Sequence, residues 1–209
     1  MKSTIAIAAM VFTLLIGGTA EAQIGKRFPS EKKVVKDPVT GTMLTFLTST
    51  PTGDSKIYQT HNQWTSDGQW LIFRSGRVRG EAMAVNENTG EMVQVTEGGY
   101  TGMLSIARYS MKLYFMRNPS RPAVPPTVPT PGAATAPRPP QPTSLQIIEV
   151  DLERLFADSK SGNLKSADFY QKVVGTTPVE IQAGGDMALD ADEKWVYFRV
   201  GRDEAARHM

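Results

Sequence analysis

Short apolar runs alternate with turn signals through much of this chain. Trp70-Leu71-Ile72-Phe73 is one such run, rich in aromatic and β-branched residues. It is entered from Ser66-Asp67-Gly68-Gln69 and closed by Arg74-Ser75-Gly76. Asp caps its own backbone in such a turn, and Gly accepts positive φ. The run is too short for a helix, so it predicts a strand buried on both faces. Gln63-Trp64-Thr65, before the turn, is its predicted antiparallel partner.

The unit recurs. "IARYSMKLYF" (106–115) and "ALDADEKWVYF" (188–198) superpose on it when Phe73, Phe115 and Phe198 are aligned, at steps of 42 and 83 residues. A second phrase also repeats: "DPVTGTMLTFLT" (37–48) against "NENTGEMVQVTEG" (86–98), each a Thr-Gly turn followed by alternating residues. Such a phrase marks the outer hairpin of a sheet. A period of roughly 40–45 residues with several strands in each points to an all-β fold, a β-propeller. Its inner-to-middle strands are expected at 70–74, 112–116 and 195–199. An unrelated antiparallel β-domain with similar hairpins is the alternative.

Three segments fall outside the repeat. Residues 1–22 read as a secretory signal peptide: Met1-Lys2, an apolar Ile5–Ile16 core, and the small-x-small site Ala20-Glu21-Ala22. An uncleaved anchor is the alternative. No later stretch is apolar enough to span a bilayer, so a periplasmic or secreted chain free of the membrane after cleavage is expected. Residues 119–142 hold 10 of the 14 prolines and form a disordered or polyproline-like insertion, or a docking motif. "DLERLFADS" predicts one short amphipathic helix through Leu152, Leu155 and Phe156, packed on its own blade. Propeller blades are thus expected over 23–118 and again over 143–209.

Without both insertions, roughly 140 residues remain, about three blades at that period, where closed propellers have four to eight. The sequence stops directly after a strand. It reads as the N-terminal part of a larger propeller, truncated at the C-terminus, with self-association through an open sheet edge. A ring of several copies is the alternative. With no cysteine, the fold must rest on its core.

The formal charge of +2 suits an anionic ligand and falls far short of a nucleic-acid footprint. There is no P-loop, dinucleotide fingerprint or G-x-S-x-G. Two histidines, His61 and His208, cannot build a histidine-rich metal site. "DADE" (190–193) falls where the repeat demands a turn, rather than forming a calcium loop. Arg74, Arg77, Arg79, Arg117, Arg199 and Arg202 all follow the same strand of successive repeats. They would ring one end of a propeller and bind carboxylates, or stand as solvated strand-end charges. His61 and Asn62 precede the first inner strand, near a channel mouth, as ligand contacts or as structural hydrogen-bonders.

Residues 34–73 resemble the opening of the oligogalacturonate lyase family. Asp37, Thr40, Gly41, Leu44, Leu47, Thr48, Tyr58, Thr65, Asp67, Gly68, Leu71 and Phe73 carry the likeness. "VNENTGEMVQVTEG" and "GGDMALDADEKWVYFRVG" are similar to later stretches of the family. The resemblance implies a seven-bladed propeller that cleaves acidic oligosaccharides by β-elimination in pectin breakdown. It also implies a divalent, manganese-like metal held mainly by histidines of a second half. No metal ligand or catalytic residue carries over to this chain, and no cofactor is expected in it. His61, Asn62, Arg74, Arg77, Arg199 and Arg202 are the candidate substrate contacts of an otherwise inactive portion. The D-G-x-x-(L/I)-x-F phrase is shared with Tol-type periplasmic propellers, so a non-catalytic binding or scaffold module is the alternative.

Overall fold

A computed structural model describes residues 23–120, 144–181 and 183–200. The signal-peptide reading, nearly all of the Pro-rich reading, and Arg202 fall outside the described residues. In chain order the strands begin with β1 (Arg27–Phe28), β2 (Lys33–Lys36), β3 (Met43–Phe46), β4 (Ser55–Lys56) and β5 (Trp70–Arg74). There follow β6 (Ala82–Asn86), β7 (Met92–Gln94), β8 (Thr101–Ile106), β9 (Lys112–Arg117) and β10 (Gln146–Asp151). Helices α1 (Leu152–Ser161) and α2 (Ala167–Tyr170) precede β11 (Gln171–Thr176), β12 (Ala183–Leu189) and β13 (Val196–Val200).

The first sheet has the order β1-β7-β6-β5-β4 and the second β11-β10-β9-β8. β12–β13 and β2–β3 are separate hairpins. All pairing is antiparallel. The turn chemistry explains the register. Thr65 Oγ1 donates to Asp67 Oδ1 at 2.5 Å and accepts from the Trp70 amide at 3.1 Å. Gly68 takes φ 69° where a side chain would be strained. Trp64 bridges Leu71, as the pattern predicts. The repeated strands are β5, β9 and β13, each paired with the strand before it.

The layers stack face to face. Ile72, Ala84 and Val93 of the first sheet meet Leu104, Phe115 and Ile148 of the second. The other face of the second sheet, through Tyr114 and Met116, meets Met187 and Phe198 of β12–β13. Phe73, Met83 and Val85 point to the far face of the first sheet, where Leu47 packs. Each large apolar side chain so buried contributes roughly 1.5–3 kcal/mol.

The expected helix is α1, capped by Asp151, whose Oδ1 accepts from the Arg154 amide at 3.0 Å. It does more than cover its own sheet. Phe156 stacks on Trp70 of the preceding sheet, because Leu152, Leu155 and Phe156 share one helical face that spans the gap between layers. The four-residue α2 is a second helix that the pattern does not announce. Gly102 and Gly185 bring β8 and β12 into backbone contact: a Cβ on Gly102 would lie 1.9 Å from the Gly185 carbonyl oxygen.

Candidate functional site

Antiparallel inner strands separate the candidate residues into two groups. β8 and β12 run toward one end of the sheets, while β5, β9 and β13 run back toward the other. Where β8 and β12 finish lies a cavity of about 340 Å³, lined among others by Thr60, His61, Asn62, Ser105, Arg108 and Asp190. Residues 57–62 reach it because the strand is interrupted. Lys56 pairs with Phe73, and Gln63 then accepts from the Ile72 amide at 2.8 Å, leaving the intervening residues to loop outward.

His61 sits edge-on to Tyr58, with ring centroids 5.4 Å apart. Its Nδ1 is buried and has no hydrogen-bond partner among the described residues. Asn62 is committed locally: its Nδ2 donates to the Trp64 carbonyl at 2.7 Å, and its Oδ1 accepts from the Trp64 amide at 3.2 Å. Arg108 forms no ion pair among the described residues. Its guanidinium lies 5.5 Å from the Tyr109 ring centroid.

Two carboxylates hold the cavity wall. Glu193, at φ 59°, accepts from the Tyr109 amide, from the Ser110 amide at 3.3 Å and from Ser110 Oγ at 2.7 Å. It thereby clamps the turn that carries Arg108. Burial pushes the Glu193 carboxyl up, but these donors outweigh it and hold the group below the usual carboxylate range. Asp190 caps its own turn by accepting from the Lys194 and Trp195 amides, each at 2.7 Å. The "DADE" stretch is therefore turn chemistry in the fold. Arg108 itself is absent from the arginines that the repeat singles out. Those all follow the repeated strand, whereas Arg108 precedes it; aligning the turn before the strand would have flagged it.

The remaining arginines lie elsewhere. Arg74 donates through Nη2 to the Gly102 carbonyl at 2.9 Å, while its Nε is buried without a partner among the described residues. Arg199 pairs with Asp186 at 3.0 Å and lies over Gly184. Both therefore converge on the Gly102–Gly185 approach, away from His61. Arg117 donates to Gln146 Oε1 and to the Glu97 carbonyl, both at 3.3 Å. Arg79 is exposed, and Arg202 is outside the described residues.

Arg77 requires a correction. Its side chain is only 6% exposed and forks between Glu31, at 2.6 Å, and Asp54. It anchors the segment before β2 and the loop before β4, and it is not part of a solvent-facing ring. Burial pushes Glu31 up, but the Ser49 and Thr50 amides and Arg77 dominate and hold it at about 2.

Among the described residues no three His, Cys, Asp or Glu side chains gather into a metal site, and no helix is long and apolar enough to cross a membrane.

Face-to-face antiparallel sheets, each built on an inner hairpin, define an all-β protein of propeller type. Within that class the chain is similar to solved oligogalacturonate lyases. One, in complex with manganese, matches at TM-score 0.55, and another, from Vibrio parahaemolyticus, at 0.56. Each shares 18% identity and covers 82% of this chain. The chain spans 36% of the length of either lyase, and identity this low speaks for the fold alone. No family model matches, and no curated protein matches in sequence.

Proposed function

We propose that this chain recognises acidic oligosaccharides of the galacturonate kind, as a portion of an exported, lyase-like propeller that acts on pectin fragments by β-elimination. The observation that supports this is the pairing of Arg108, free of any ion pair among the described residues, with the unpartnered Nδ1 of His61 in one cavity. A guanidinium takes a carboxylate through two parallel hydrogen bonds. A buried imidazole nitrogen without a partner is costly until a ligand hydroxyl satisfies it. A cavity of about 340 Å³ lies at the small end of the range for ligand sites, the size of one or two sugar rings. Tyr58 and Tyr109 supply partly exposed ring faces beside it.

β-Elimination needs a base for the proton α to the uronate carboxyl and positive charge to stabilise the resulting enediolate. Arg108 supplies positive charge at the carboxylate. The manganese belongs to the similar lyase structure, and the described residues here do not fit such a centre. The proposal therefore assigns this chain recognition without turnover. Mixing the 209-residue chain with 1,4-linked galacturonate oligomers tests both parts. Calorimetry is expected to show weak, salt-sensitive binding, and ultraviolet absorbance no unsaturated product. Steady product formation would overturn the division of labour; absence of binding would overturn the recognition.

A further inference from the structure

The inner strands β8 and β12 lie side by side and run the same way. Gly102 touches Gly185, and Ser105 Oγ donates to the Met187 carbonyl at 3.0 Å. The 82-residue offset of the second contact, carried past the strand ends, sets Asp190 beside Arg108. Both line the same cavity. Yet they form no ion pair with each other. Each is drawn aside by its own turn. Asp190 Oδ1 is taken by the Lys194 and Trp195 amides, each at 2.7 Å. Glu193 ties down the Tyr109 and Ser110 amides, and the Arg108 guanidinium lies 5.5 Å from the Tyr109 ring centroid.

The charges around the cavity are therefore fixed and separate. Among the described lining residues, Arg108 is the only guanidinium or ammonium and Asp190 the only carboxylate. The Trp195 amide foremost holds the Asp190 carboxyl below the usual carboxylate range, against a smaller upward push from burial, so it stays ionised at neutral pH. Glu193, also held low, adds a second negative charge behind the Arg108 turn. One anionic group of a ligand can be met, at Arg108. A second would find no cation there, and Asp190 would repel it. What Asp190 can accept is a hydroxyl, through a charge-assisted hydrogen bond.

We propose that this cavity selects a galacturonate unit whose neighbouring ring carries no free carboxylate, as in partly methyl-esterified pectin fragments. The selection presupposes the uronate recognition proposed above, and Asp190 is its specificity-determining residue. A cavity of about 340 Å³ admits one or two sugar rings, so the neighbour lies within reach. Arg108 takes the free carboxylate. Asp190 accepts hydroxyls of the adjoining ring and disfavours a second carboxylate by repulsion, which is how a site rejects a close analogue. A methyl ester removes that charge and keeps the hydroxyls. Tyr58 and Tyr109, 38% and 69% exposed, offer apolar ring surface beside it.

Calorimetric titration at fixed ionic strength tests this. The 209-residue chain is titrated with 1,4-linked digalacturonate, with each of its two monomethyl esters, and with the dimethyl ester. One monoester is expected to bind about threefold or more tighter than the diacid, and the diester not to bind. Asp190→Asn keeps an Oδ1 acceptor for the Lys194 and Trp195 amides and loses the charge. Asp190→Ser, with a hydroxyl acceptor that also suits a turn, is the second variant. Both should bring the diacid level with the better monoester. A diacid that binds as tightly as either monoester in the unaltered chain, or a preference that survives in both variants, overturns the selection and leaves uronate recognition standing. Failure of all four ligands to bind overturns the recognition, and the selection with it.

Discussion

Trp70 lies flat on Phe156, ring centroids 4.2 Å and planes 18° apart, joining the first sheet to the helix inserted in the second. Both rings are more than nine-tenths buried. Trp70→Ala should cost about 3–5 kcal/mol in denaturant unfolding. A double-mutant cycle with Phe156→Leu should show a coupling of about 0.5–1.5 kcal/mol. Independent, additive effects would mean that the stack only fills space.

Arg77→Ala should be as severe, about 3–5 kcal/mol, because it strands Glu31 and Asp54 without their buried partner. The same cluster sets a pH dependence. Glu31, held at about 2, lies below its unfolded value of about 4.3. Its stabilisation is present above that unfolded value and is lost as pH falls toward 2. Unfolding midpoints measured between pH 7 and pH 3 should fall, and fall less in Glu31→Gln.

Gly102→Ala places a Cβ against the Gly185 carbonyl at a positive φ of 72°. The substitution should push β12–β13 off the second sheet while leaving the first two sheets folded. Limited proteolysis should then cut within 183–200 well before the rest. Unchanged protection there would mean that the backbone approach is slack.

Much of this architecture is legible in the sequence because local chemistry writes it. Asp67-Gly68 and the two Thr-Gly turns fix hairpins within a few residues, and the apolar alternation fixes their faces. The ion pairs of Arg77 are not legible, since Asp54 and Glu31 lie 23 and 46 residues away and only the folded chain brings them together. The two-residue β1 has too little pattern to announce its pairing with β7. The cavity was half legible. His61 stands out as one of two histidines, but Arg108 reaches it only through the packing of neighbouring sheets.

Glu193 should act on recognition through the Arg108 turn. Glu193→Ala removes the acceptor for the Tyr109 and Ser110 amides. It should weaken oligogalacturonate binding several-fold, and Glu193→Gln, which keeps one acceptor oxygen, should recover part of the loss. Amide exchange at Tyr109 and Ser110, read alongside, should speed up in the same order. Fast exchange with unchanged binding would separate the clamp from the site.

The central claim rests on Arg108 meeting a uronate carboxylate in the cavity with His61. Titrating the 209-residue chain and its Arg108→Ala variant calorimetrically with galacturonate oligomers, and with neutral galactose oligomers of the same length, tests this most directly. The account predicts binding of the acidic oligomer only, weakened at least tenfold by Arg108→Ala and again by raised salt in the unaltered chain. Equal affinity for the neutral oligomer, or an Arg108→Ala isotherm that overlays the original, would contradict it.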